Sequence, residues 1–201
     1  MQRFGLLLLV LVLVLAACGS DALIDETFTV ERDIPQTLQI DGLIAGIADQ
    51  EDVLRVIVED SVIGAAGTIT VNTDETLADY SISARVYITQ GEAQLWARTD
   101  EAGCAGYILS VDPTNGRYRL SLVDENCDVQ TLDSETPIEV PFNQWYNMRL
   151  SVQGTTIRGF IDNVEFFNVD DERYAQGLAR VRLVSRSVRA GQIDIENITI
   201  R

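Results

Sequence analysis

Tyr80-Ser81-Ile82-Ser83-Ala84-Arg85-Val86-Tyr87-Ile88 sets Ile82, Ala84, Val86 and Ile88 on one side of an extended chain and Ser81, Ser83, Arg85 and Tyr87 on the other. That period of two is what a strand buried on one face requires. Wound as a helix, the same residues would spread their apolar groups around the axis and seal nothing. Comparable segments recur at 53–58, 68–71, 94–98, 106–111, 118–123, 129–132, 146–153, 156–161, 164–168, 177–184 and 192–200. Turn residues separate them at Asn115-Gly116, Gln153-Gly154, Asp162-Asn163 and Ala190-Gly191. Many short strands with regular turns and no amphipathic helix predict an all-β fold, an antiparallel two-sheet sandwich or jelly roll. Residues 28–66 are less regular, and 42–52 read as a loop or a single helical turn.

The chain begins with Met1-Gln2-Arg3, an apolar run from Gly5 to Ala17, and Leu15-Ala16-Ala17-Cys18 followed by Gly19-Ser20. One positive charge and about thirteen apolar residues make a secretory signal, shorter than the roughly twenty that a spanning helix needs. Cys18 after Leu-Ala-Ala resembles the bacterial lipobox, whose cysteine is diacylglycerol-modified. The expected organisation is therefore a removed signal at 1–17, a lipidated Cys18 with a tether through residue 27, and one β-sandwich domain at 28–201. The expected location is extracytoplasmic, held at the membrane of a bacterial cell envelope.

The 201 residues include 31 acidic and 15 basic ones, for a net charge of −16. An acidic surface repels phosphate backbones and argues against nucleic acid as a partner. There is no His, and every basic residue is Arg. Without an imidazole or an amine, Ser-His-Asp catalysis, histidine-ligated zinc and Schiff-base chemistry are excluded. What remains is carboxylate or tyrosine chemistry, or a hard cation such as calcium.

A two-residue turn at Asn115-Gly116 would set Val111 opposite Leu120, Leu109 opposite Leu122 and Asp112 opposite Arg119. The same register sets Cys104 opposite Cys127. With Cys18 acylated these are the two remaining cysteines, and an exported chain meets an oxidising environment, so a Cys104–Cys127 disulfide is expected. A longer turn would slide the pairing by a residue or two.

From residue 79 to 201 the order of pieces resembles the concanavalin A-like lectin/glucanase jelly rolls, in particular laminin G-like and 3-keto-disaccharide-hydrolase-like domains. The pieces are Asp79-Tyr80, Leu95-Trp96-Ala97-Arg98, Gly106-Tyr107-Ile108-Leu109, Gly116-Arg117-Tyr118-Arg119-Leu120, Trp145-Tyr146-Asn147-Met148-Arg149-Leu150, Gly177-Leu178-Ala179-Arg180-Val181 and the closing stretch from Ile193 to Ile200. The resemblance implies a β-sandwich scaffold shared by lectins, hydrolases and adhesion modules, so it names no single reaction. It also makes Trp145 a packing residue at a sheet edge. Non-catalytic binding of carbohydrate or a cell-surface polymer is the leading expectation. A glycoside or keto-disaccharide hydrolase or lyase, and a structural or adhesion module, stay open beside it.

Alternation turns Arg85, Tyr87, Gln94, Trp96, Arg98 and Arg119, with Ser110 and Ser121, away from the core. Aromatic faces stack on sugar rings and guanidinium forks grip hydroxyls or carboxylates, so these six are the expected ligand-binding residues. Three arginines among them would favour acidic glycans. Asp194 and Glu196 share a strand face, but Gln192 stands where a retaining glycosidase of related pattern needs its nucleophile, and no catalytic residue is assigned. No cofactor is expected; the loop acids Asp100-Glu101, Asp124-Glu125 and Asp170-Asp171-Glu172 are the candidates for a structural calcium site.

Overall fold

The computed structural model describes residues 23–28, 34–48, 51–58, 62–73, 76–135, 139–188 and 190–201. The signal and Cys18 lie outside them. One antiparallel sheet runs β13 (Val164–Asp170), β12 (Thr156–Ile161), β11 (Gln144–Gln153), β6 (Tyr80–Gln90), β15 (Gly191–Ile200), β4 (Leu54–Val58) and β3 (Ile44–Ile47), and β1 (Ile24–Thr27) pairs with β15 as its eighth strand. The other runs β10 (Val129–Glu135), β9 (Arg117–Val123), β8 (Gly106–Asp112), β7 (Glu92–Thr99), β14 (Leu178–Val184), β5 (Ala66–Val71) and β2 (Leu38–Asp41).

The apolar sides of both sheets meet in one core, where Tyr107, Tyr146, Phe167, Leu54, Ile82, Ile88, Leu95, Leu109 and Leu120 are fully buried. In β6 the expected alternation holds, with Ile82, Ala84, Val86 and Ile88 buried and their neighbours half-buried. In β7 and β8 every residue is buried, on the outward side as well. The centre of the seven-stranded sheet is therefore closely packed on its outward side as well as on its inner one.

Three expectations need correction. Residues 24–27 are not spacer: Ile24 to Thr27 pair with Ile200 to Asn197. Residues 44–47 are neither loop nor helical turn, because β3 pairs with β4, and an edge strand needs to bury only half its side chains and so carries a weak pattern. The β8–β9 hairpin turns through four residues, pairing Val111 with Tyr118, Leu109 with Leu120 and Asp112 with Arg117. Its cause is local: Asp112 accepts from the Asn115 backbone N–H at 3.2 Å and from Asn115 Nδ2 at 2.7 Å, while Gly116 takes the left-handed φ of 58°. Pro113 suits the second position of such a turn.

The disulfide forms although the register moved. Cys104 and Cys127 are bonded with Cα atoms 4.8 Å apart. Both precede or follow the paired strands, and left-handed bends at Ala105 (φ 50°) and Cys127 (φ 65°) bring them together.

Candidate functional site

The outer face of the seven-stranded sheet is ordered by strand register. Thr68, Arg182, Gln94, Ser110 and Arg119 line up across β5, β14, β7, β8 and β9, and Thr70, Arg180, Trp96, Ile108 and Ser121 form the next row. Two adjoining depressions of about 560 and 520 Å³ open on these rows and share Trp96, Ala102, Gly103 and Arg182. The turn at Ala102-Gly103, clipped down by Cys104–Cys127, forms the ridge between them. Gly103 permits this close approach, because a Cβ there would lie 2.6 Å from Arg180 Nη1.

Trp96 is the floor and not a platform. It is only 3% exposed, packs with Cys104, Ile108 and Val123, and donates its indole N–H to Gln94 Oε1 at 2.8 Å. The Arg182 guanidinium lies over its ring, 4.9 Å from the centroid. Gln94 in turn donates to Glu92 Oε1 at 2.7 Å. Glu92 is fully buried and faces two arginines, Arg119 at 3.3 Å and Arg186. Arg180 donates to the carbonyls of Asp100 at 2.7 Å and Glu101 at 3.0 Å. Arg182 has no hydrogen bond or ion pair among the described residues, and burial together with the like charges of Arg180 and Arg186 holds its pKa below the ordinary arginine value.

Of the six residues expected to bind ligand, Gln94, Trp96 and Arg119 share this face. Arg85 and Tyr87 do not, because β6 belongs to the other sheet. There they flank the half-buried Trp145, with Arg85 4.7 Å from its ring centroid and the Tyr87 ring 5.4 Å away. Trp145 is thus on an outer face, and Tyr146 takes the buried anchoring role, its hydroxyl donating to the Pro141 carbonyl at 2.5 Å.

Arg98 points elsewhere for another reason. A bulge between β7 and β14 and a φ of 55° reverse the alternation at this residue. Its side chain, 1% exposed, donates to the carbonyls of Ala78 at 2.9 Å and of Gly154 and Tyr174 at 2.8 Å, and lies 3.2 Å from Asp79 Oδ1. It is a structural clamp.

Arg180, Arg182, Arg186 and Glu92 were absent from the expected set. Alternation through β14 does put Arg180 and Arg182 outward together; what the sequence does not spell is that β14 lies beside β7.

Among the acids considered for catalysis or calcium, Asp100, Asp124, Asp171, Asp194 and Glu196 are engaged by other groups. Arg55 grips Asp194 through two bonds of 2.7 Å, and Arg85 holds Glu196 at 2.5 Å. Asp124 accepts from the backbone of Asn126 and Asp128, Asp100 from Cys104 N–H, and Asp171 from Arg173 and the Tyr107 hydroxyl. Among the described residues no three acids or cysteines are grouped to hold a cation.

No family model matches the chain, and no curated protein matches it by sequence. Solved structures do resemble it. A carbohydrate binding module, CBM66 from Bacillus subtilis, superposes with a TM-score of 0.67 at 11% identity, over 82% of this chain and 95% of that one. A glycoside hydrolase family 16 endo-glucanase from Bacteroides ovatus gives 0.63 at 12% identity, over 89% and 100%. The carbohydrate recognition domain of Emp47p gives 0.64 at 14%, over 87% and 92%. With its two antiparallel sheets, this chain has the concanavalin A-like jelly-roll fold.

Proposed function

We propose that this chain is a lipid-anchored, extracytoplasmic protein that binds carbohydrate or another surface polymer, without turning it over, on the outer face of its seven-stranded sheet. One observation carries the reading: two contiguous depressions, floored by Trp96 and rimmed by arginines, lie on that face of a fold whose neighbours include a carbohydrate binding module. A polymer needs an elongated, polar, concave surface with fixed donors, and the two rows supply one. The leader and the Cys18 context support export and anchoring, and the disulfide suits an oxidising compartment. Two acyl chains would hold such a protein stably, where one would be marginal.

The test is a glycan array followed by calorimetry on the full chain. Thr131 is exposed and lines the second depression, so Thr131→Trp should block binding while Trp145→Ala, on the other sheet, leaves it unchanged. Binding that ignores Thr131→Trp, or no saccharide bound at all, overturns the proposal. A hydrolase reading would rest on Asp41 and Glu101, the carboxylates lining the first depression. Turnover lost in Asp41→Asn and Glu101→Gln would establish it instead.

A further inference from the structure

The second depression is lined by Arg119, Arg182 and Arg186 and by no carboxylate. In a chain with twice as many acids as bases, a patch of this composition runs against the rest of the surface. Glu92 lies buried beneath it and faces Arg119 and Arg186. Arg182 lies over the Trp96 ring, makes no ion pair among the described residues, and feels Glu92 only as an attraction outweighed by its burial and by the like charges of Arg180 and Arg186.

Several donors here have no acceptor among the described residues. The Nε atoms of Arg119 and Arg182 are buried and unpartnered, and so is the hydroxyl of Ser121, a residue 2% exposed that lines the same depression. Each such group is costly to leave unsatisfied, and charged ones most of all. Water can meet hydrogen-bonding needs but leaves the surplus positive charge in place. Arg182 and Arg119 stand three strands apart, about 14 Å between Cα atoms, with Gln94 and Ser110 between them.

We infer that the second depression is a subsite for the acidic group of a saccharide, a carboxylate or a sulfate ester, bound by Arg182 with Arg119 and the Ser121 hydroxyl. This rests on the saccharide-binding reading of the face and adds the ligand's charge. Guanidinium forks hold either oxyanion through paired, charge-assisted bonds. A neutral sugar would add no negative charge to offset the surplus of Arg119, Arg182 and Arg186 over Glu92.

The experiment titrates the full chain with carboxylated, sulfated and neutral oligosaccharides from one array. Acidic members should bind more tightly than their neutral counterparts. Arg182→Gln should cost at least tenfold, and Ser121→Ala at least threefold. Thermal melting reports whether Arg182→Gln stays folded, and Ser121→Ala removes one unpartnered hydroxyl and adds nothing. The preferred acid, carboxylate or sulfate, names the group. If only neutral saccharides bind and both variants match the parent, the subsite is wrong and the binding face stands. If acidic saccharides bind but neither variant weakens them, the subsite is misplaced and the inference fails. If no saccharide binds, both readings fall together.

Discussion

The backbone N–H of Arg98, in β7, donates to the Tyr80 hydroxyl, in β6, at 2.7 Å, so a tyrosine of one sheet reaches across the core to hold a bulge in the other. Tyr80 also donates to the Leu178 carbonyl of β14 at 3.2 Å. The Arg98 side chain closes the same end by bonding three carbonyls. Arg98→Ala would strand those acceptors, and a loss of about 3 kcal/mol or more is expected in denaturant unfolding. Arg98→Lys, without the planar fork, should recover only part of it.

Alkaline pH should loosen the same end. Burial, partly offset by the Arg98 backbone bond, pushes the Tyr80 pKa up from 10.0 to about 12, and burial and Asp171 push Tyr107 to about 12. The folded values exceed the unfolded ones, so the neutral tyrosines' contribution is complete below pH 10 and is lost as pH rises toward 12. Melting temperature should fall across that interval, with tyrosinate absorbance rising on unfolding. Tyr80→Phe should flatten part of the slope.

Removing the disulfide should cost about 3 kcal/mol for a loop closed across 23 residues. Cys104→Ala with Cys127→Ala tests this by denaturant unfolding. Because that bond pins the ridge between the depressions, saccharide binding should weaken in the double variant even at temperatures where it is folded.

Gly177 tolerates no side chain. A Cβ there would sit 2.4 Å from the Arg98 carbonyl carbon and 2.5 Å from the Thr99 oxygen, both backbone atoms. Gly177→Ala should push β14 from β7 and lower stability by about 2 kcal/mol or more, seen as a lowered denaturant midpoint.

The two outer faces should behave differently. Arg85→Ala and Tyr87→Ala, on the eight-stranded sheet, are expected to leave saccharide affinity unchanged and stability within about 1 kcal/mol, since their contacts are surface ones. Calorimetry on the folded variants checks this.

The sandwich was legible because alternation in β6, β9, β11 and β15 is a local property. The disulfide was legible too, since it depends on the compartment and on rough proximity. Which strands are neighbours depends on pairings remote in sequence. Tyr87 and Gln94 are seven residues apart yet lie on different sheets, because the chain crosses between Gln90 and Glu92. Arg182 and Gln94, 88 residues apart, stand side by side. A bulge hides similarly: nothing in Ala97-Arg98-Thr99 announces the reversal that turns Arg98 inward. The short edge strands β1, β2 and β3 carry too few buried residues for a period to show.

The pairing of Ile24 with Ile200 sets the two extremities of the sandwich about 5 Å apart. From Ile24 to Arg201 the path is thus a nearly closed circuit. Joining these extremities with a brief linker and severing the loop at 113–116 should yield a circular permutant that folds to the same shape. In such a molecule a tether or label could be attached at 113–116, at the opposite end of the sandwich from Ile24 and Ile200.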